Sequence, residues 1–530
     1  MTRFDHVAAA SLWLAACGLA TSPAARAQAP APPSDTSTRL AVVSVETARP
    51  GALIARDFIG YSLEVSTAGQ GIGAFQGTAT GGGASPAEEA VYALGRPGAP
   101  NAGYFRLMRN LGAGILRLGG NSQDNSCWAR AQAPHPDGCA AELTGPDLKL
   151  FGEAARASGW RLIVGLNLKQ NAPAWAVREV TEGVAREIPR PLVFALEPGN
   201  EPDLFFRTPY RAPGYAAADQ AKEFLAYVQA LKADPAGRRF PVVGPATCCG
   251  WRNPTDLATF VDGVGRASLA WITVHNYSET TCNGRQVSIA RLLSPELMDQ
   301  FNREAKPLAA LARARGLPIS MAETNSASCG GMPGVSNAMA SALWGLDYAF
   351  SLADDGYVGV AFHTSYRPAG GSSYNPVDTW VRRDSAGAVR YRNVAEPLYY
   401  ALYLFGRHAS GARLLPAAIE TRANVRAWAV RRCATCAVEV FVLNKDSSAS
   451  GPVRVHLGRR MGDGTLLLLA APSLGSLAPD VRLGGVQFES DGSLGEPVTM
   501  AVDPDASGDY SFVLPNAAIA LLTVEPAAHR

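Results

Sequence analysis

The sequence of 530 residues has no stretch in which lysines and arginines cluster with aromatic side chains, and only 18% of its residues are charged. Its formal net charge is +2. Such a surface does not favour electrostatic capture of nucleic acid or of an anionic membrane. Because 47% of the residues are hydrophobic, the chain can bury one large core and a smaller second one. We expect a globular protein that binds a small ligand.

Several catalytic and metal-binding motifs are also missing. The glycine-rich stretch 69–83 has no Walker lysine, so a flexible loop fits it better than a phosphate cradle. Ser326 and Ser328 lack the G-x-S-x-G elbow of a serine hydrolase. The CxxC at Cys433 and Cys436 has no second CxxC or paired histidines, which argues against a zinc site. We predict neither a metal nor a cofactor.

The first 27 residues resemble an export signal. An apolar run over 7–20 follows a basic residue, and Ala25-Arg26-Ala27 forms a small-x-small cleavage site. The run is too short to cross a bilayer. Residues 14–17 also resemble a lipoprotein cleavage box, which would leave Cys17 lipidated. We predict an exported protein, periplasmic or secreted, with a signal peptide over 1–27 and a linker over 28–39.

Eight cysteines remain apart from Cys17, and an even number in an exported chain favours disulfides. Cys248 and Cys249 form either a vicinal disulfide or two free thiols. Spacing alone does not fix the pairing of the others, but local pairs close the shortest loops, and two cysteines each follow a predicted strand end. The expected pairs are Cys127 with Cys139, Cys433 with Cys436, and Cys282 with Cys329.

From about residue 58 to residue 365, strand-like runs alternate with amphipathic helical patterns, which is typical of βα units around a parallel sheet. Eight units predict a (β/α)8 TIM barrel over residues 53–409. The predicted strands are Phe58–Leu63, Ile115–Leu118, Leu162–Leu166, Leu192–Leu196, Pro241–Gly244, Trp271–His275, Ile319–Ala322 and Val358–Phe362.

The last 120 or so residues change to short alternating runs separated by turn signals, which predicts an antiparallel β-sandwich over 410–530. Residues 40–52 have the same β character, so we expect an N-terminal strand that joins this sandwich.

Polar residues follow most of the predicted barrel strands, and in a TIM barrel the active site lies at this end of the strands. Among them, Glu201 and Glu323 follow strands that are nearly opposite in a ring of eight. The other candidates at the strand ends are Glu64, Arg117, Asn121, Asn200, His275, Tyr277 and His363.

Two facing carboxyl groups are what glycosidic cleavage requires, because one must donate a proton while the other stays ionised. A separation of ~5–5.5 Å would make the second carboxylate a nucleophile and the outcome retaining. Asn200 could bind the sugar hydroxyl beside the reacting carbon. Tyr277 and Arg117 could keep Glu323 ionised by donating to it. A single glutamate at a strand end is more often a salt-bridge partner, and a histidine there is often a core residue, but the pair favours catalysis.

Several strings resemble glycoside hydrolase family 79, the β-glucuronidase and heparanase group of clan A, and most of all its fungal-type exo-acting members. They are Leu116-Arg117-Leu118-Gly119-Gly120-Asn121-Ser122, Leu196-Glu197-Pro198-Gly199-Asn200-Glu201-Pro202-Asp203, Ala322-Glu323-Thr324-Asn325-Ser326, and the run from Cys329-Gly330-Gly331 to Asp347-Tyr348.

The resemblance implies that Glu201 is the general acid/base and Glu323 the nucleophile of a retaining, metal-free reaction. It also implies that uronate-binding residues come from the loops after strands 7 and 8, which here offer Ser328, Cys329, Gly330, His363, Tyr366 and Tyr374. Family members that place a tyrosine shortly after the nucleophile differ from this chain, which has Ala327-Ser328-Cys329.

The resemblance therefore implies an exo-β-glucuronidase that removes terminal glucuronic acid, or its 4-O-methyl form, from plant glycans or glycosides. An exo-β-glycosidase acting on a neutral sugar is the second expectation, since no lysine or arginine is placed with certainty to meet a carboxylate. A heparanase-like endo-enzyme would need a basic cleft, and a non-catalytic glycan-binding protein would not need both glutamates.

Overall fold

The computed structural model describes residues 40–65, 93–129, 139, 141–207, 210–365, 372–383 and 388–527. The predicted signal peptide, the linker, Cys17 and Tyr366 lie outside these residues. No helix within the described ranges is both long and apolar enough to cross a membrane.

The described chain contains strands throughout its length, whereas its α-helices all precede residue 405. In chain order the strands are β1 (Ala41–Val45), β2 (Ile59–Glu64), β3 (Gly95–Arg96), β4 (Ala99–Pro100), β5 (Ile115–Gly119), β6 (Ser126–Trp128), β7 (Ala141–Leu143), β8 (Arg161–Leu166), β9 (Val193–Pro198), β10 (Gly244–Thr247), β11 (Ile272–Thr280), β12 (Ile319–Ser328), β13 (Val360–Thr364), β14 (Val377–Arg383), β15 (Val389–Ala395), β16 (Arg413–Leu415), β17 (Ala417–Thr421), β18 (Val425–Arg431), β19 (Val438–Asn444), β20 (Gly451–His456), β21 (Gly464–Ala470), β22 (Arg482–Leu483), β23 (Met500–Val502), β24 (Tyr510–Leu514) and β25 (Ala518–Val524).

The α-helices are α1 (Ala102–Asn110), α2 (Gly145–Ser158), α3 (Pro173–Arg178), α4 (Ala185–Glu187), α5 (Ala217–Ala233), α6 (Pro254–Val264), α7 (Ile289–Leu292), α8 (Pro295–Ala314), α9 (Met339–Asp355) and α10 (Pro397–Leu404). Two π-helical segments, Glu179–Val184 and Phe405–Ala409, continue α3 and α10.

Eight parallel strands form the barrel, in the order β10-β11-β12-β13-β2-β5-β8-β9. The sheet closes between β9 and the segment before β10, where Leu196 pairs with Val242 and the amide of Val243 donates to the carbonyl of Leu196 at 2.9 Å. The strands are apolar and buried because helices cover the outside of the sheet and side chains fill its interior. The predicted TIM barrel is confirmed.

Three barrel strands differ from their predicted bounds by three or more residues, and the other five by one or two. The fifth strand is assigned over Gly244–Thr247, and the predicted Pro241–Gly244 segment supplies the closing contacts instead. Strand β11 ends at Thr280 and not at His275 as predicted. Strand β12 ends at Ser328, six residues beyond its predicted end at Ala322. Their pairing continues to Thr280 opposite Ser328, so the two strands rise above the rest of the barrel as a ribbon.

The C-terminal region is a sandwich of two sheets. The larger sheet has the order β16-β18-β19-β25-β21-β22, with β23 paired to β21, and the smaller has the order β17-β1-β20-β24. The predicted antiparallel sandwich is present with one exception: the N-terminal strand β1 lies between β17 and β20, antiparallel to the first and parallel to the second.

The larger sheet packs against the barrel through α9. The ring of Phe350 stacks on Trp428 at 5.4 Å between centroids and meets Phe441 at 5.0 Å. Beside them the buried Asp347 accepts a 2.9 Å hydrogen bond from Trp428 Nε1 and pairs with Lys445 Nζ at 2.8 Å. The interface therefore combines apolar packing with a buried ion pair, and the sandwich braces the barrel helices.

Candidate active site

Glu201 lies just beyond the end of β9, where the ladder stops. Gly199 has φ 85° and Glu201 itself has φ 49°, a left-handed conformation that costs a residue with a side chain of the order of 1 kcal/mol. The Glu201 amide donates to the carbonyl of Ala246 at 2.9 Å, which fixes this turn against the next strand. The carboxyl is thereby aimed across the barrel mouth.

Glu323 lies within β12 on the facing side. Its Oε1 accepts a 2.8 Å hydrogen bond from the Tyr277 hydroxyl, and its Oε2 accepts one of 2.8 Å from Arg117 Nη1. A carboxylate oxygen of Glu323, one of Glu201 and a ring nitrogen of His275 all lie within 4.8 Å of one another. The two predicted catalytic carboxyl groups therefore face each other in one cleft.

Arg117 is the centre of a buried network beneath Glu323. Its guanidinium, which is not exposed at all, donates to Glu197, to Ser62 at 3.0 Å and to Asn200 at 2.9 Å, as well as to Glu323. All three guanidinium nitrogens of Arg117 therefore donate hydrogen bonds, which hold its side chain rigidly. Arg117 is among the site residues predicted from the sequence, whereas Glu197 and Ser62 are not. A buried arginine on a barrel strand requires counter-charges, and that requirement is the only signal that could have found them.

The environments of the two glutamates move their pKa values in opposite directions. Burial raises the pKa of Glu201 well above its ordinary value, and the charges of Glu323 and Asp203 raise it further. Burial would also raise the pKa of Glu323, but the positive charges of His363 and Arg117 and the Tyr277 hydrogen bond outweigh it and lower that pKa to about 2. One carboxyl is held protonated and the other ionised.

The two histidines at the strand ends differ in charge. Burial lowers the pKa of His275 to about 4, so its neutral ring contacts Glu201 through Nδ1 at 3.1 Å. Burial opposes the charged form of His363 too, but the carboxylates of Glu323 and Glu64 raise its pKa above the ordinary value. His363 lies 3.6 Å from each of these carboxylates and carries the positive charge between them.

Asn200 is 5% exposed and is fixed on two sides. Its backbone amide donates to Asp124 Oδ2 at 2.8 Å, and its side-chain oxygen accepts from Arg117. Among the described residues nothing accepts from its side-chain amide, which is therefore available to a sugar hydroxyl. Asp124 also accepts from the amides of Leu168 and Lys169, so it ties the loops after β8 and β9 together. It was not among the predicted site residues.

Glu64, at the end of β2, is part of the site, whereas the side chain of Asn121 is exposed at the rim. The Glu64 carboxylate accepts from the Asn121 amide at 3.2 Å and from the Ser122 amide at 2.7 Å. The intervening Gly120 has φ 70°, and a Cβ there would come within 2.5 Å of the Glu64 carboxyl carbon. Only glycine allows this close approach.

The loop after β12 is tied to the loop after β11 by the Cys282–Cys329 disulfide. The Ser328 hydroxyl donates to Thr280 at 2.7 Å and so helps to hold the ribbon together. The carbonyl of Gly330 accepts a hydrogen bond from the amide of Ser373, which connects this loop to the one before β14. Ser328 and Gly330 therefore lie on the segment that follows Glu323, next to the segment that carries Tyr374.

Tyr374 lies beside Tyr277 and His363, next to Glu323. Its ring is 4% exposed and lies 6.2 Å from the Tyr277 ring and 6.1 Å from the His363 ring. Asn325 Nδ2 donates to the carbonyls of Tyr374 and His363 at 2.9 Å each, which fixes the two loops relative to β12. His363, Tyr277 and Tyr374 therefore form one contiguous surface beside Glu323.

The other two predicted cysteine pairs are also bonded but lie elsewhere. Cys127 and Cys139 join the segments around β6 and β7, and Cys433 and Cys436 close a turn between β18 and β19 in the sandwich. Cys248 and Cys249 are free thiols, the first buried and the second exposed.

Two groups in the described residues have the side chains of a metal site. One consists of Glu201, His275 and Glu323, and the other of Asp203, Cys248 and Cys249. In the first group, Glu323 accepts hydrogen bonds from Arg117 and Tyr277. The second lies at the edge of the same cleft.

No family model matches the chain. Sequence comparison finds a β-glucuronidase from Neurospora crassa, 26% identical over 347 residues, which are 57% of this chain and 60% of the fungal protein. It also finds a heparanase from Gallus gallus, 25% identical over 284 residues, which are 52% of this chain and 50% of the avian protein. The chain thus spans between half and three fifths of the length of these relatives.

Solved structures share the fold over nearly the whole chain. A 4-O-α-L-rhamnosyl-β-D-glucuronidase from Fusarium oxysporum 12S has a TM-score of 0.69 and 18% identity, covering 91% of this chain and all of that chain. A family 51 arabinofuranosidase from Xanthomonas axonopodis pv. citri has a TM-score of 0.64 and 15% identity, covering 92% of this chain and all of that one. The fold is that of barrel-and-sandwich glycoside hydrolases. The resemblance to the β-glucuronidase and heparanase group of family 79 is confirmed by the two sequence relatives.

Proposed function

We propose that the protein is a retaining exo-β-glucuronidase that removes terminal β-linked glucuronic acid, or its 4-O-methyl form, from plant glycans or glycosides. The observation that carries this proposal is the pair Glu201 and Glu323, whose carboxylate oxygens lie within 4.8 Å of each other. Retaining glycosidases hold their carboxyl groups at about 5–5.5 Å, and inverting ones at about 6.5–9.5 Å.

In the first step Glu323 attacks the anomeric carbon while Glu201 gives its proton to the departing oxygen. Glu323 suits the first role because Tyr277 and Arg117 hold it ionised and aimed. Glu201 suits the second because no described cation bonds to its carboxyl and its contact with His275 is to a neutral ring. The bond from the anomeric carbon to the leaving oxygen breaks, and an ester to Glu323 forms.

In the second step Glu201, now ionised, takes a proton from a water molecule that attacks the same carbon. The ester bond to Glu323 breaks, the sugar leaves with its original configuration, and both carboxyl groups return to their starting states. Arg117 stabilises the departing Glu323 carboxylate, since its guanidinium stays in place throughout. The amide of Asn200 donates to the 2-hydroxyl, a contact that strengthens in the transition state of such reactions.

Two observations support glucuronate as the sugar. The sequence relatives are named β-glucuronidase and heparanase, and the Fusarium structure is named for a glucuronidase. Beside Glu323, His363 carries positive charge and Tyr374 forms the adjacent wall, so an anionic sugar would meet a cation and a hydroxyl-bearing ring. The ribbon of β11 and β12, closed by its disulfide, walls the cleft on this side, which favours a terminal residue over the middle of a chain.

The test is hydrolysis of matched aryl β-glucuronide and aryl β-glucoside by the purified protein, with Glu323→Ala as the blank. Strong preference for the glucuronide supports the proposal. Equal or better hydrolysis of the glucoside would retain the mechanism and overturn the substrate. No hydrolysis of any aryl glycoside, combined with binding of glycans, would favour a glycan-binding protein instead.

A neutral-sugar exo-glycosidase is the second candidate. Several arabinofuranosidase structures share the fold, with TM-scores of 0.60 to 0.64. The chain has Ala327-Ser328-Cys329 shortly after Glu323, where some members of the resembled family have a tyrosine, and this departure is the feature that favours a neutral sugar. Export to the periplasm or the medium is also proposed, supported by the three disulfides, and is tested by sequencing the N-terminus of the mature protein.

A further inference from the structure

A second cluster of reactive side chains lies beside the catalytic cleft, and its members do not contact the sugar in the proposed mechanism; Asp203 influences it only through its charge near Glu201. Asp203 belongs to the short turn that follows Glu201, and Cys248 and Cys249 directly follow β10. The amides of Cys248, Cys249 and Gly250 donate to the Asp203 carboxylate at 3.1, 2.8 and 2.8 Å. These bonds fix the two cysteines close to the carboxylate.

The cluster carries negative charge with no cation to balance it. Asp203 is fully buried, and none of the described groups that hydrogen-bond it is cationic. Cys248 is 5% exposed, and its thiol lies 3.6 Å from Asp203 Oδ2. Three backbone amides and the Cys248 thiol hydrogen-bond the Asp203 carboxylate, and a bound cation would supply the charge that these neutral donors do not.

The three side chains lie close enough together to bind one metal ion. One ligand atom from each lies within 4.8 Å of the other two. Zinc–sulfur bonds of about 2.3 Å and zinc–oxygen bonds of about 2.0–2.2 Å at tetrahedral angles put sulfur and oxygen ligands about 3.5 Å apart. The observed distance of 3.6 Å between Cys248 Sγ and Asp203 Oδ2 therefore needs almost no change. Cys249 is exposed, so an ion can reach the site from solvent.

We propose that Asp203, Cys248 and Cys249 form a binding site for a thiophilic divalent cation of the Zn²⁺ class. Two sulfur ligands and one carboxylate oxygen select such an ion over Mg²⁺ or Ca²⁺, which prefer oxygen. On binding, each thiol releases its proton to solvent and forms a metal–sulfur bond, and water occupies the fourth position. The three other cysteine pairs are oxidised, whereas these two thiols are unpaired and so remain able to bind.

The test measures binding and does not depend on turnover. Free thiols are first counted in the native protein, and the expected number is two per chain. Zn²⁺ alone is then titrated in competition with a chromophoric chelator, for the native protein and for Cys248→Ser and Cys249→Ser. We expect one tight site, with affinity reduced at least about 10-fold in either variant. Co²⁺ or Cd²⁺ added to the native protein should give thiolate charge-transfer absorption that both variants lose.

Glu323→Gln is the matched control, because it alters the other group that could hold a metal, Glu201 with His275 and Glu323. It should retain the affinity of the native protein. Unchanged Zn²⁺ binding in both cysteine variants, or loss of binding only in Glu323→Gln, would place the ion at the catalytic carboxyl groups and overturn the proposal. A native protein without free thiols would overturn it as well, since a Cys248–Cys249 disulfide cannot bind the ion.

The same variants show whether the ion affects the reaction. Cys249 has no contact with the catalytic carboxyl groups among the described residues, so Cys249→Ser should keep the basal activity. If Zn²⁺ bound at this site inhibits hydrolysis by the native protein, the Zn²⁺ concentration needed for inhibition should rise in Cys249→Ser by the same factor as the dissociation constant for Zn²⁺. Failure of the glucuronidase proposal would leave the binding result unaffected, so the two can be distinguished.

Discussion

The hydroxyl of Tyr277 donates a 2.8 Å hydrogen bond to Oε1 of Glu323, on the side opposite to Arg117. The carboxylate is therefore held from both ends. Tyr277→Phe removes one of these donors and leaves the ring, so it tests the hydrogen bond alone. A hydrogen bond to a charged group is worth about 1.5–3 kcal/mol, which predicts a loss of about 10- to 100-fold in kcat/KM. Steady-state kinetics on an aryl glycoside measure it, and Tyr403→Phe, in a helix at the sandwich interface, is the control that should keep full activity.

Glu201→Ala should separate substrates by their leaving groups. Only a poor leaving group requires a proton donor, so we expect a loss of about 10²- to 10⁴-fold on alkyl or glycan leaving groups and a much smaller loss on activated aryl ones. Comparing kcat/KM across leaving groups of increasing acidity measures this slope. A uniform loss over the whole series would contradict the assignment of Glu201 as the proton donor.

His363 should set the acidic limb of the pH profile. Its positive charge helps to lower the pKa of Glu323 to about 2, and the reaction requires Glu323 to be ionised. His363→Gln removes the charge, so the pKa of Glu323 should rise and the acidic limb of kcat/KM should move to higher pH. An acidic limb that stays in place or moves to lower pH would contradict the role of His363 in lowering the pKa of Glu323.

The buried pair Asp347 and Lys445 should stabilise the junction of barrel and sandwich. Their side chains are 0% and 2% exposed. Lys445→Ala removes the buried cation and leaves Asp347 with the longer, 3.6 Å pair to the partly exposed Arg426, so it should cost about 3 kcal/mol. Thermal unfolding measures the loss. The pair between Arg106 and Asp491 is the control, because its side chains are 51% and 63% exposed and Arg106→Ala should leave the unfolding temperature nearly unchanged.

The disulfide between Cys282 and Cys329 should matter for substrate binding. It fixes the loop that carries Gly330 against the ribbon of β11 and β12, so Cys282→Ser/Cys329→Ser should raise KM and lower the unfolding temperature. The bond closes a loop of 47 residues, for which a stabilisation of about 2–4 kcal/mol is typical. The double variant Cys433→Ser/Cys436→Ser breaks a disulfide in the sandwich that spans three residues, and it should leave KM unchanged.

The sequence predicted the order and approximate position of all eight barrel strands, because alternation of apolar strands with amphipathic helices is a local pattern. It did not predict how far β11 and β12 extend. Their upper parts, past His275 and Glu323, are mostly polar and lack the apolar pattern of a barrel strand. The Cys282–Cys329 bond and the hydrogen bond of Ser328 to Thr280 reinforce their pairing. The parallel pairing of β1 with β20 is likewise a contact between distant segments.

The residues that face the cleft were accessible to sequence reasoning because strand ends of a barrel converge on one face. The residues that lie behind this face could not be predicted in the same way. Glu197 lies within β9, four residues before Glu201. Its pairing with Arg117 of β5 reaches across β8 and follows from the register of these three strands, not from spacing in the sequence. Asp203 and Cys248 meet because the turn after Glu201 packs against the end of β10, which no local pattern encodes.

The central claim is that Glu323 forms a covalent bond to the sugar and that the reaction retains configuration. The most direct measurement is proton NMR of the sugar released in the first minutes of hydrolysis of a β-glycoside, before mutarotation. The proposal predicts that the β-anomer appears first and the α-anomer only later. An α-anomer as the first product would show inversion, and would contradict the assignment of Glu323 as the nucleophile.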